Sequence, residues 1–200
     1  MKTIITTLLF LLGLGTYSQT CEVGLMVNGE LTYFEYDCNN KEHAIDSIKI
    51  ANYNFLTSSE LKELDLLVVK YVNEHRIKNG LSKLPWDSEL YKITEFHTKY
   101  QFDNGVVEHE QNGKSYEDRV RENGIYMGEC VLLTGPCVNI DDKARKIVRQ
   151  WVESPTHNRI LLDIKAKSIS VSTKLGTFYC SWDNNKLYLG SGVSTLNVRY

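Results

Sequence analysis

The chain is poor in proline and methionine, 3 of each in 200 residues, and its 13 glycines follow no repeat. That composition excludes collagen-like and proline-rich disordered classes. It also lacks an excess of charge. With 23 basic and 25 acidic side chains the net charge is −2, and neither sign forms a long block. Nucleic-acid binders gain affinity by neutralising phosphate, so a nucleic-acid partner is not expected. No His-Glu-x-x-His, Gly-x-Ser-x-Gly, P-loop or Gly-x-Gly-x-x-Gly sequence occurs, and no Cys-x-x-Cys pair. The common signatures of zinc proteases, serine hydrolases, nucleotide sites and zinc ribbons are therefore missing.

The longest apolar run is at the N-terminus. Met1-Lys2 leads into Ile4 to Gly15, followed by Thr16-Tyr17-Ser18. A basic start, an apolar stretch and small residues at positions −3 and −1 match a secretory signal over residues 1–18, cleaved after Ser18. The run is shorter than the ~20 residues a bilayer span needs, so no transmembrane span is expected in the mature chain. Gln19-Thr20 is a poor lead-in for a lipid anchor on Cys21. The expected location is secreted, periplasmic or on the cell surface. Export makes the five cysteines disulfide candidates. Cys21 with Cys38 and Cys130 with Cys137 are the expected pairs, each flanking a turn, with Cys180 left over.

Residues 19–56 carry their own signals. Leu25 to Val27 and Leu31 to Phe34 flank Asn28-Gly29, a two-residue hairpin turn. Asn39 to Asn54 is polar and turn-rich, which suggests a linker. A domain over residues 57–200 follows. Thr57-Ser58-Ser59-Glu60 is a capping box, and apolar spacing from Leu61 runs to a stop at Gly80. A second helix begins at Asp87 and should bury Leu90, Ile93, Phe96 or His97, and Tyr100. A third spans Tyr116 to Asn123. A fourth, Asp141 to Glu153, should bury Ala144, Ile147, Val148, Trp151 and Val152. Pro155 should end it and throw the chain outward. Then the period changes to two at Ser168 to Ser172, and strand-like segments follow at Thr177 to Trp182 and Leu187 to Leu189. Helices followed by antiparallel strands define an α+β domain.

Among five histidines, His75 and His97 fall on helices and read as packed residues, while His43 in the linker reads as solvated. His109 and His157 fall in segments read as irregular, just outside helices, where loops present functional side chains.

Several of these segments, in order, resemble the CAP superfamily of cysteine-rich secretory, antigen 5 and pathogenesis-related proteins. Asn73 to Leu81 and Leu84 to Leu90 are similar to its first-helix signature. His109 matches its histidine before the third helix, and Gly128-Glu129-Cys130-Val131 its Gly-Glu-Asn strand. Trp151, Ser154-Pro155, His157 and, shifted by one, Arg159 match the bacterial-type motif, and Ile169 to Trp182 the closing strands. Cys130 replaces the family's asparagine, and Glu110 its small hydroxyl residue after His109. The resemblance implies a three-layer α-β-α sandwich with a central antiparallel sheet. It also implies a cleft gathering His109, Glu129, His157 and Glu153, and a divalent metal, often zinc, between His109 and His157.

Three functional readings follow. One is an exported binding module whose cleft takes a divalent metal and a peptide or lipid ligand. Another is a metal-assisted, peptidase-like hydrolase, with His109 and His157 as ligands and Glu129 as general base, or Glu153 if Glu129 ligates. Two histidines are one short of the usual three protein ligands of catalytic zinc, which argues against that reading. The third is an adhesive or structural surface protein using Tyr33, Phe34 and Tyr36 of the hairpin.

Overall fold

The computed structural model describes the backbone at residues 20–27, 30–37, 56–135, 139–180 and 186–200, and side chains at 56–135, 139–176 and 192–200. The expected leader, the linker, Cys38, Cys137 and the side chains of Cys21 and Cys180 lie outside these residues.

Two strands come first, β1 (Thr20–Val27) and β2 (Glu30–Asp37). They pair antiparallel with Val27 opposite Glu30, as the Asn28-Gly29 turn implies. Helix α1 (Ser58–Lys78) starts at the expected capping box. Thr57 accepts from the Glu60 amide, and the Glu60 carboxylate accepts from the Thr57 amide at 2.7 Å. Helix α2 (Ser88–Asn104) is capped by the Asp87 side chain and stopped by Gly105 at φ 67°. Helix α3 (Tyr116–Asn123) begins at a second capping box, Ser115 with Asp118, and ends at Gly124. Strand β3 (Met127–Thr134), helices α4 (Ile140–Glu153) and α5 (Pro155–Leu161), and long strands β4 (Ser168–Cys180) and β5 (Lys186–Arg199) complete the order.

Strand β5 is the centre of the sheet. It pairs antiparallel with β4 on one side and with β3 on the other, and β1 joins it in parallel at Val23 and Gly24. Along the order β2-β1-β5-β3, β3 forms an edge. Alternation then sorts the side chains. Cys130, Val171, Leu196 and Val198 face one way and pack with Leu64, Val68, Ile147 and Trp151 of α1 and α4. Each such burial contributes about 1.5–3 kcal/mol. Helix α2 covers the opposite face and α3 reaches it through Arg119 at Glu129, so the fold is an α-β-α sandwich.

That opposite face is polar. Ser170, Thr195 and Asn197 are fully buried there, and α2 meets them with Thr94, Thr98 and Gln101. Thr94 Oγ1 lies 2.5 Å from Ser170 Oγ, and Gln101 Nε2 donates to Thr195 Oγ1 at 2.9 Å. The apolar stripe expected on α2 is therefore corrected. Leu90 and His97 are buried, but Phe96 is 63% exposed and Ile93 and Tyr100 are half-buried. A sheet face lined with hydroxyls selects the Thr/Gln stripe because buried polar groups must be paired.

Pro155 is a second correction. Helix α4 does end at Glu153, with Ser154 extended, but the chain is not thrown outward, because Pro155 opens α5, at whose first turn its missing N–H is no loss. A third concerns Cys130, which is a free, fully buried thiol in β3, so the expected link to Cys137 is not formed.

Candidate functional site

The site forms where loop, helix and strand meet at the β3 edge. Gly105 ends α2, and the chain then carries His109 past the sheet toward α3. Glu129, the third residue of β3, points to the polar face and is 4% exposed. Its Oε1 accepts from His109 Nδ1 at 3.0 Å. Arg119 of α3 holds both carboxylate oxygens, Nη1 to Oε1 at 3.0 Å and Nη2 to Oε2 at 2.6 Å. Nη1 also donates to the His109 carbonyl at 2.6 Å, so one guanidinium fixes both the carboxylate and the loop that presents the imidazole.

His97 completes this cluster from α2. Its Nε2 lies 2.9 Å from the Glu108 carbonyl and 3.5 Å from Glu129 Oε1, and its Nδ1 lies 3.1 Å from Gln111 Oε1. Burial drives its pKa down, opposed in part by the Glu129 charge. Burial pushes Glu129 up, but hydrogen bonds from His109 and Arg119 and the nearby positive charges outweigh it. The carboxyl is held below its usual range and stays ionised. Tyr116 meets the His109 ring edge-on at 6.2 Å, and its buried hydroxyl has no partner among the described residues.

His157 sits on α5, not in an irregular segment. The signature stretch of α1 positions that helix. His75 Nε2 lies 2.8 Å from Asn158 Oδ1, and Arg76 donates to the Leu161 carbonyl at 2.6 Å and the Asp163 carbonyl at 3.1 Å. Asn73 exchanges two hydrogen bonds with the Leu84 backbone, at 3.0 and 2.7 Å. Cys130 Sγ meets the His157 carbonyl at 3.9 Å, which sets α5 against β3. Burial lowers the His157 pKa, and the charge of His109 lowers it further. His109 and Glu129 are thus in direct contact, while His157 stands on α5, whose backbone meets β3 at Cys130. The Glu153 side chain is 68% exposed and faces Arg149 at 3.9 Å.

Two members of the cluster escape the sequence reading: Arg119 carries no motif, and His97 reads as packing alone. An arginine on the inward face of an eight-residue helix is the signal that could have marked the first. Nothing local marks the second.

The donor chemistry bears on a metal. Glu129 has both oxygens engaged, and among the described residues no three His, Cys, Asp or Glu side chains converge as a ligand set. With Nδ1 turned to Glu129, His109 leaves Nε2 for an ion. The described residues therefore do not supply the three protein ligands of a catalytic zinc site, and His109 Nε2 is the donor atom this cluster leaves over.

This fold and site define a class. The family model for the cysteine-rich secretory protein family, CAP, matches residues 69–185, more than half of the chain, and the chain belongs to that family. Solved structures agree on the fold. An outer surface protein from Borrelia burgdorferi is 15% identical at a TM-score of 0.52, covering 74% of this chain and 96% of its own. An extracellular SCP-domain protein from Bacillus anthracis is 18% identical at 0.52, covering 74% and 45%. A cysteine-rich secretory protein from Staphylococcus aureus is 15% identical at 0.51, covering 73% and 41%. The chain spans less than half the length of the last two. No curated protein matches it. Among the described residues, no helix is long and apolar enough to cross a membrane.

Proposed function

We propose that the protein is an exported binding module of the CAP family, whose edge cleft takes a divalent cation between His109 and His157 and presents it to an extracellular peptide or lipid ligand. One observation carries the reading. Glu129 is bound at both oxygens by Arg119 and also accepts from His109 Nδ1, which leaves His109 Nε2 to meet an ion. The lowered pKa of His157 keeps that ring neutral as well at neutral pH. A bound ion would supply Lewis acidity and open positions for a ligand oxygen.

The same contacts argue against hydrolysis. A general base needs a carboxylate free to take a proton, and Glu129 is clamped while Glu153 faces solvent and Arg149. Calorimetric titration of zinc into the full chain at neutral pH tests the proposal. One binding event is expected, weakened at least about tenfold by either His109→Ala or His157→Ala. Zinc uptake unchanged in both variants would overturn it.

A further inference from the structure

A groove of about 340 Å³ runs between α2 and α3, and neither His109, Glu129 nor His157 lines it. One wall is Phe96, an aromatic ring 63% exposed on α2. The lip is a tight turn. Gln111 and Lys114 exchange two backbone hydrogen bonds of 3.0 Å, and Asn112 and Gly113 take positive φ of 53° and 74°. Only such residues suit that turn, and it lifts the exposed Asn112 carboxamide over the groove. Asn123 lines the opposite side, its Nδ2 donating to the Arg119 carbonyl at 2.7 Å. Lys114 and Glu122 pair across the rim at 2.7 Å.

We propose that this groove binds a neutral saccharide bearing acetamido groups. Sugar hydroxyls both donate and accept, and so do the carboxamides of Asn112 and Asn123, whereas that of buried Gln111 is held by His97. An acetamido group can exchange paired hydrogen bonds with a carboxamide while its methyl packs on an exposed aromatic ring such as Phe96. The charges largely cancel. Lys114 is met by Glu122 and Arg119 by Glu129, so Lys92 adds one positive charge and no anionic partner is selected. The volume lies at the lower end of the range of about 300–1,000 Å³ for small-ligand pockets.

This site does not depend on the proposed ion, so its test is run with EDTA present. Amide NMR spectra of the full chain are recorded during titration with tri-N-acetylchitotriose, with cellotriose, and with trialanine. The expected result is saturable shifts at Phe96, Gln111, Asn112 and Asn123 with the acetamido sugar, and affinity about tenfold lower or less for cellotriose. Phe96→Ala and Asn112→Asp, both at exposed positions, should each lower the affinity about tenfold, and Phe96→Trp should retain it. No shift at these residues, an equal response to cellotriose, trialanine shifting the same amides, or full affinity in Phe96→Ala would each overturn the proposal.

Discussion

Arg119 and Glu129 form a two-point ion pair, at 3.0 and 2.6 Å, with side chains 5% and 1% exposed. The pair joins α3 to the edge strand and holds the His109 loop through the same guanidinium. A buried charge of either sign is costly alone, so each residue makes the other tolerable.

Removing the arginine should therefore cost more than removing both charges. Arg119→Met leaves Glu129 buried and uncompensated, with an expected loss of about 3–5 kcal/mol in urea unfolding. Adding Glu129→Gln should recover part of it. A single variant within about 0.5 kcal/mol of the native chain would contradict the role given to the pair.

Asp65 presents the opposite case. It is 3% exposed in α1, and its Oδ1 has no hydrogen-bond partner among the described residues. Burial raises its pKa well above the ordinary value; hydrogen bonds to Thr173 oppose the shift and the negative charge of Glu95 adds to it. Tyr91, itself raised to about 12, also faces this carboxyl. A raised folded pKa means the native state binds the extra proton, so stability falls as pH rises above about 4, the unfolded value, toward the folded one. Asp65→Asn should lose that slope. Its gain in urea midpoint over the native chain should grow from pH 4 to pH 8; a gain equal at both would refute the assignment.

Gly192 pairs with Leu175 just before the β4–β5 irregularity, and a Cβ there would run into the Lys174 carbonyl. Backbone cannot yield as a side chain can. Gly192→Ala should destabilise by about 1–3 kcal/mol, the usual range for overpacking. Gly176→Ala would meet only the tip of Phe102 at 3.3 Å, and thermal melts should show it to be the milder change.

Cys130 offers a direct check on the bridge it does not make. Burial, reinforced by the Glu129 charge, pushes its thiol pKa up, so it should resist iodoacetamide in the native state. Peptide mapping should find it labelled in denaturant without reductant. Labelling that appears only after reduction would mean it is bridged.

Local signals serve well where local physics decides. The capping box at Thr57 and Glu60, the cap at Asp87 and the glycine stop after Asn123 mark helix ends to within a residue or two, because each satisfies backbone groups of its own turn. The buried stripe of α4, Ala144 to Trp151, is equally readable, since an apolar sheet face receives it. The stripe of α2 is not, because its partner is a sheet face of serines and threonines that no period within the helix announces. Family motifs supplied His109, Glu129 and His157, and the fold brings His109 and Glu129 into contact.

By itself, then, the order of caps, periods and turns determined helices α1 to α4 and the hairpin and closing strands, but not α5. Tertiary structure alone decided that residues 97, 109, 119 and 129 share one hydrogen-bonded cluster, that Glu153 stands outside it, and that Cys130 is buried unbridged. The reason is one of range. Caps and turns are settled by neighbours a few residues apart, whereas the partner of a buried charge is chosen by whichever distant side chain the packed sheet brings within hydrogen-bond distance.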